Sequence, residues 1–217
     1  MNVTLKLNAT IICGMRNSGK SEIARTLILA EKDKFDIIFA ISPTDACNGF
    51  YNFIEKQNVI EDYSEEWVDA LISKMKDKNL GKNARSPDAY HCLLVIDDCG
   101  GNSGWKNSRS LEALFSKGRH YMISTLVIIQ RIRSVSVTVR TNVNFLYVSV
   151  MNASSEKILL EEFTLGDISK IEFKNLLKKE TQNYGFLIIN NSASTQSISL
   201  NSYYASIRVP IDKLKVR

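Results

Sequence analysis

Gly14-Met15-Arg16-Asn17-Ser18-Gly19-Lys20-Ser21 follows the apolar run Ala9-Thr10-Ile11-Ile12-Cys13 and leads into Glu22 to Lys32, a stretch of helical character. The octet has the pattern G-x-x-x-x-G-K-S of a phosphate-binding loop. Such a loop needs a strand to deliver it and a helix to leave it. Its backbone N–H groups and the positive end of the helix hold phosphate oxygens together. Both flanks are present. Gly14 and Gly19 allow the tight turn, and Met15, Arg16, Asn17 and Ser18 supply the intervening backbone. Lys20 can reach β and γ oxygens, and the Ser21 hydroxyl suits Mg2+. A glycine turn between a strand and a helix would account for Gly14 and Gly19 but gives no reason for Lys20-Ser21 at the helix start. A nucleoside triphosphate is therefore the expected ligand.

Outward from the loop, apolar runs and helical stretches alternate, which predicts an α/β fold built from βα units on a mainly parallel sheet. The expected strands are Thr10 to Cys13, Ile37 to Ile41, Cys92 to Ile96, Ser124 to Ile129 and Asn144 to Val150, each a short run of the kind buried on both faces. The expected helices are Lys20 to Glu31, Glu65 to Lys78 and Ser108 to Lys117. Tyr51 to Lys82, with Trp67, Leu71, Ile72 and Met75 on one helical face, is expected to pack on the sheet as a lid or partner surface. After Val150 the pattern predicts a helical stretch from Ser155 to Lys179, a strand from Tyr184 to Ile189, and a short edge strand near Ile198 to Tyr203. The 217 residues read as one domain, with a core over about 9–150 and C-terminal helices and edge strands over 151–217.

No apolar run is long enough to span a bilayer, and Met1 to Asn8 lacks a signal-peptide layout, so a soluble, cytosol-like setting is expected. Cys13, Cys47, Cys92 and Cys99 form no C-x-x-C pair, and His91 and His120 are the only histidines. That pattern reads as reduced structural thiols rather than a zinc site. The formal charge of +5 is compatible with a polyanionic partner without requiring one. Two basic clusters stand out: Lys74, Lys76, Lys78, Lys82 and Arg85, with Asp77 as the only acid, and Arg131, Arg133 and Arg140. A solvated face is the alternative reading of each.

Two further elements bear on chemistry. Leu93-Leu94-Val95-Ile96-Asp97-Asp98 is an apolar strand ending in two acids, the pattern of a Walker B strand. Ligands of such sheets lie outside the carboxyl ends of the strands, so Asp97 is expected beside Mg2+ and Asp98 beside the attacking water. The alternative for Asp98 is a turn into Cys99-Gly100-Gly101. Gly118-Arg119-His120 then precedes the strand Ser124 to Ile129, which ends in Gln130. If that strand lies between the loop strand and the Asp97 strand, Gln130 reaches the γ-phosphate, where an amide can donate to phosphate and accept from water. Otherwise Gln130 merely ends a strand. Arg119 and Arg140 are candidates for binding transition-state charge across a subunit boundary, with surface solvation the alternative for either.

In this order, Gly14-x-x-x-x-Gly19-Lys20-Ser21, Ile96-Asp97-Asp98, Gly118-Arg119-His120 with Gln130, and Val139-Arg140-Thr141-Asn142 make the chain resemble the genome-packaging ATPases of large double-stranded DNA viruses and virophages. That group is the poxvirus-type branch of the FtsK/HerA superfamily, and the resemblance runs from about Ile11 to Val150. It implies a RecA-like P-loop core with an additional strand, Mg2+-dependent ATP hydrolysis, a homo-oligomeric ring usually of six subunits, and movement of double-stranded DNA into a preformed capsid. By position it carries the double-acid role to Asp97 and Asp98, the sensor role to Gln130 and the trans-acting arginine to Arg119. It further implies capsid or membrane-associated portal components as partners, and the host cytoplasm or viral factory as the location.

Three other functions share the phosphate loop, one of them a helicase-like ATPase. A nucleoside-type kinase needs an acceptor pocket and an arginine-bearing lid, which Gln130 and the double acid argue against. A nucleotide-gated scaffold would use ATP to assemble rather than to move. DNA contacts of a translocase need only basic and donor side chains on backbone phosphate, so Lys74 to Arg85, Arg131 and Arg133 are the expected places to find them.

Overall fold

In the computed structural model, which describes residues 3–45, 49–99, 105–165, 168–192 and 200–209, one sheet of eight strands runs through the molecule. Its strands are β1 (Ala9–Cys13), β2 (Ile37–Ile41), β3 (Val59–Ile60), β4 (Cys92–Asp97), β5 (Ile123–Ile129), β6 (Phe145–Val148), β7 (Gly185–Asn190) and β8 (Tyr204–Arg208). The order across the sheet is β3-β2-β4-β5-β1-β6-β7-β8. The first six in that order pair parallel; β7 and β8 add antiparallel. β1, β4 and β5 are almost wholly apolar because both faces of the sheet are covered.

On one face pack α2 (Glu65–Lys78), α3 (Arg109–Lys117), α4 (Val137–Thr141), α5 (Ala153–Glu162) and α6 (Lys170–Glu180). They contribute Val68, Leu71, Leu114, Val139, Leu159 and Phe173 to a core with Ile11, Cys13, Leu94, Ile96 and Val127. The other face holds α1 (Lys20–Glu31), whose Ile23, Ala24 and Ile28 meet Ile12, Val95, Leu126, Tyr51 and Ile54. The segment between β2 and β4 therefore serves both faces. The apolar side of α2 is spent in the core, with Trp67 set edge-on to Phe39 at 5.3 Å, so this helix is a layer of the fold rather than a lid.

Register decides what the sheet can do. Cys13 lies opposite Ile129 of β5 and Val148 of β6, while Asp97 lies opposite Ile128. Gly14, Asp98 and Gln130 thus leave the sheet side by side at the carboxyl edge. The position of β5 between β1 and β4 is the arrangement the Gln130 reading required.

The C-terminal third differs from expectation in two places. The single helical stretch expected from Ser155 to Lys179 is two helices. Ser169 and Glu172 form a capping box that starts α6, and the Tyr204 hydroxyl accepts from Leu165 N at 2.6 Å, bracing the chain between the helices. The edge strand expected near Ile198 to Tyr203 begins instead at Tyr204, after a short α7 (Leu200–Tyr203); Ile198 lies outside the described residues. Its Tyr204 is buried in the core of the α2–α6 face, while Ala205 and Ile207 pack on the α1 face. The two-residue β3 and the one-turn α4 had no sequence signal strong enough to be expected.

Candidate nucleotide site

The phosphate loop is tied to both strands beside β1. Gly14 N donates to Ile129 O at 3.2 Å and Met15 N to Val150 O at 2.8 Å. Two residues take left-handed backbone, Asn17 at φ 58° and Gly19 at φ 86°. Gly19 stands just before α1, where it opens the first-turn N–H groups toward the loop. At Gly14 the constraint is proximity, since a Cβ there would lie 2.7 Å from Ser18 Oγ. That Ser18 hydroxyl is buried and finds no protein partner among the described residues. A cradle of backbone N–H groups with an unspent hydroxyl inside it fits a phosphate chain.

Lys20 Nζ donates to Met15 O at 2.7 Å, which folds its ammonium over the loop. Burial holds this lysine below its ordinary pKa, and the charges of Asp97 and Asp98 resist that shift. Ser21 is exposed on the first turn of α1. Its hydroxyl and the Asp97 carboxylate are both oxygen donors, the ligand type that Mg2+ prefers.

Asp97 ends β4 partly buried. Its Oδ2 accepts from the Tyr51 hydroxyl at 2.9 Å. Its pKa is raised to about 6, first by burial and also by the neighbouring Asp98, against the Tyr51 hydrogen bond and Lys20. Asp98 takes left-handed backbone at φ 54° and projects to solvent. There its Oδ1 accepts from Gln130 Nε2 at 3.1 Å, so two residues named from separate motifs meet in space.

The arginines divide. Arg119 is exposed in the 3-10 turn Gly118–Tyr121 before β5, at the amino edge of the sheet and the far end of β5 from Gln130. Its Nε donates to His120 Nε2 at 3.5 Å. Arg140 is 8% exposed and bound in a fork: Nε to Glu162 Oε2 at 2.8 Å, Nη2 to Glu162 Oε1 at 2.8 Å, and Nη1 to Val135 O at 2.9 Å. Its guanidinium is engaged by Glu162 and the Val135 carbonyl of the same chain.

Much of the lysine cluster is also committed. Lys76 lies over the Tyr121 ring at 4.6 Å, Lys78 over Tyr90 at 3.3 Å, and Lys82 pairs with Asp88 at 3.0 Å. Arg131 and Arg133, directly after Gln130, are exposed, and Arg133 joins Lys106 in the lining of a cleft of ≈ 300 Å³. A larger cleft of ≈ 440 Å³ at the amino edge, among Lys6, Lys34, Arg85 and His91, takes in Arg85 of the basic cluster but none of the expected nucleotide-site residues. Cys13, Cys92 and Cys99 are free and buried, and Cys47 lies outside the described residues. Among the described residues no helix is long and apolar enough to cross a membrane. Tyr51 is the site residue that sequence reasoning missed, because no motif marks a tyrosine 46 positions before the carboxylate it meets.

Comparison with known proteins gives a consistent answer. The profile of the family described as Poxvirus A32 protein matches residues 4–207. Uncharacterized protein 075L of Invertebrate iridescent virus 6 is 28% identical over 186 residues, covering 84% of this chain and 70% of its own. Uncharacterized protein 088R of Invertebrate iridescent virus 3 is 27% identical over 183 residues, covering 83% and 68%. Among solved structures, the genome packaging NTPase B204 of Sulfolobus turreted icosahedral virus 2, in complex with AMPPCP, superposes with a TM-score of 0.64. It is 16% identical, with 97% of this chain and 100% of that one covered. The pCW3 conjugation coupling protein TcpA with ATPγS gives a TM-score of 0.58 at 15% identity, covering 85% and 57%. At these identities the structural likenesses establish a shared P-loop fold.

Proposed function

The chain belongs to the Poxvirus A32 protein family, and from that premise we propose that it is an ATP-hydrolysing motor that drives viral double-stranded DNA into a preformed capsid. The observation that carries the reading is the Gln130–Asp98 contact at the carboxyl edge, beside the phosphate loop. A kinase has no use for an amide bound to a second acid at the γ-phosphate position, whereas hydrolysis needs a group there that orients water.

Each residue then has a task. The loop from Gly14 to Ser21 wraps the phosphates, Lys20 exchanges Met15 O for phosphate oxygens, and Ser21 and Asp97 face the metal. Mg2+, when bound with ATP, would neutralise phosphate charge as the bond to the leaving group lengthens. Asp98 orients the attacking water, and Gln130 lies where it can read whether the γ-phosphate is present. Arg119 stands at the opposite end of β5 from its own loop, so the nucleotide it can serve belongs to a neighbouring subunit of a homo-oligomeric ring of about six. Arg140 is assigned to holding α4 on α5. The exposed Arg131 and Arg133 are the favoured DNA contacts, ahead of a lysine cluster largely held against the protein's own tyrosines. Capsid or portal components as docking partners, and the host cytoplasm or viral factory as location, belong to the same proposal.

The test is ATP turnover with and without duplex DNA. Wild type releases phosphate to water at a DNA-stimulated rate, and Lys20→Ala lowers that rate on the order of a hundredfold. A turnover indifferent to DNA and to Lys20→Ala would remove the motor reading. Assembly on ATP without a need for hydrolysis would favour a nucleotide-gated scaffold instead.

A further inference from the structure

Tyr51 has no exposed surface, yet its one polar atom reaches the carboxyl edge and donates to Asp97 Oδ2 at 2.9 Å. It is held there from several sides. Its backbone N–H donates to Asp45 Oδ1 at 2.8 Å. Its ring meets Phe50 edge-on at 5.0 Å and Phe53 at 6.0 Å. Arg25, on the helix that grows out of the phosphate loop, lies over both phenylalanines, at 5.8 Å and 5.4 Å. The phenol is thus fixed in place by α1 on one side and by the turn after β2 on the other.

A carboxylate at the end of a strand rotates about its Cα–Cβ and Cβ–Cγ bonds unless something stops it. A donor on Oδ2 fixes which oxygen faces Tyr51 and leaves Oδ1 for another partner. Partners of this kind orient metal-facing carboxylates, and their removal costs about 10–100-fold in metal affinity or activity. We infer that Tyr51 is a positioning residue for the metal half of the nucleotide site, presenting Asp97 to Mg2+ in one orientation while leaving the phosphate loop to bind nucleotide by itself. This rests on the reading of Asp97 as the metal-facing acid.

The tyrosine ring packs and its hydroxyl positions, so Tyr51→Phe separates the two roles. The full-length protein is titrated with a non-hydrolysable ATP analogue in Mg2+ and again in EDTA, and Mn2+ binding to the protein–analogue complex is followed by electron paramagnetic resonance. Tyr51→Phe is expected to lose about tenfold in Mn2+ affinity and in the Mg2+-dependent part of analogue binding, with EDTA affinity within twofold of wild type. Asp97→Asn serves as the reference and is expected to lose at least as much. If Tyr51→Phe keeps wild-type metal affinity while Asp97→Asn loses it, Tyr51 is only packing and the inference is wrong. If neither variant changes metal affinity, the assignment of Asp97 itself is wrong and the inference goes with it. If Tyr51→Phe loses affinity equally in Mg2+ and EDTA, together with a lower unfolding temperature, the hydroxyl supports the fold rather than the metal site.

Discussion

Gln130 Nε2 donates to Asp98 Oδ1 across 3.1 Å, from strands that are neighbours in the sheet but 32 residues apart in the chain. The contact fixes the direction of the amide: its nitrogen faces the acid, so its oxygen is left to accept from another donor. A water between them and a γ-phosphate could then be gripped from two sides.

Such a pair acts as a unit, so its members should fail together. Gln130→Glu places a second carboxylate against Asp98 and is expected to lower kcat on the order of a hundredfold while ATP affinity changes only a few-fold. Asp98→Asn is expected to do the same, and the double variant should be little worse than either. Steady-state kinetics on the three proteins checks this. Losses that simply multiply would show that the two side chains work independently.

Arg140 makes the opposite prediction. Its fork with Glu162 is nearly out of solvent, with side-chain exposures of 9% and 30%, and Nη1 adds a backbone carbonyl. Removing one partner of such a pair strands the other, at a cost of about 3 kcal/mol given the residual exposure of Glu162. In a chain of this size that is an unfolding temperature lower by roughly 6–12 °C. Arg140→Ala should show it, and Arg140→Lys should recover part, since lysine keeps the charge but not the fork. An Arg140→Ala protein as stable as wild type but unable to hydrolyse ATP in the assembled ring would return this arginine to the subunit boundary.

How far the sequence reached depended on the range of the interaction. The loop, β2, α1 and α2 were legible almost to the residue because their signals are local: a G-x-x-x-x-G-K-S turn, a β-branched run closed by Pro43, an apolar side at helical spacing. The break between α5 and α6 was also written locally, in Ser169 and Glu172, but the long apolar periodicity of Ser155 to Lys179 masked it. Arg140 and Tyr51 were not legible. Each meets a carboxylate far along the chain, Glu162 after 22 residues and Asp97 after 46, and no spacing rule joins them. The surroundings of the lysine cluster were hidden for a related reason: its charges are visible in sequence, while the rings of Tyr90 and Tyr121 that take two of them are not paired with them by any pattern.

The buried thiols set a limit at high pH. Burial pushes Cys13 and Cys99 up to about 12, and Cys92 upward as well. A folded-state pKa above the unfolded value means the native protein holds its proton longer. That contribution is fully present below the unfolded value near 9 and is lost as pH rises toward 12. Stability measured by urea unfolding should therefore decline across pH 9–12. At pH 8, iodoacetamide followed by peptide mapping should leave Cys13, Cys92 and Cys99 unmodified in the folded protein and alkylate them in urea. Rapid labelling of any of the three without unfolding would contradict the burial described.

β5 keeps the phosphate-loop strand and the acid strand from touching. Seven residues long, it spans about 20 Å, with Gln130 at one tip and Arg119 just beyond the other. It is hydrogen-bonded along both sides, to β1 and to β4, so neither tip shifts without drawing on both neighbours. In the ring proposed above, the same strand would carry the sensor of one site at one tip and the arginine offered to the next site near the other.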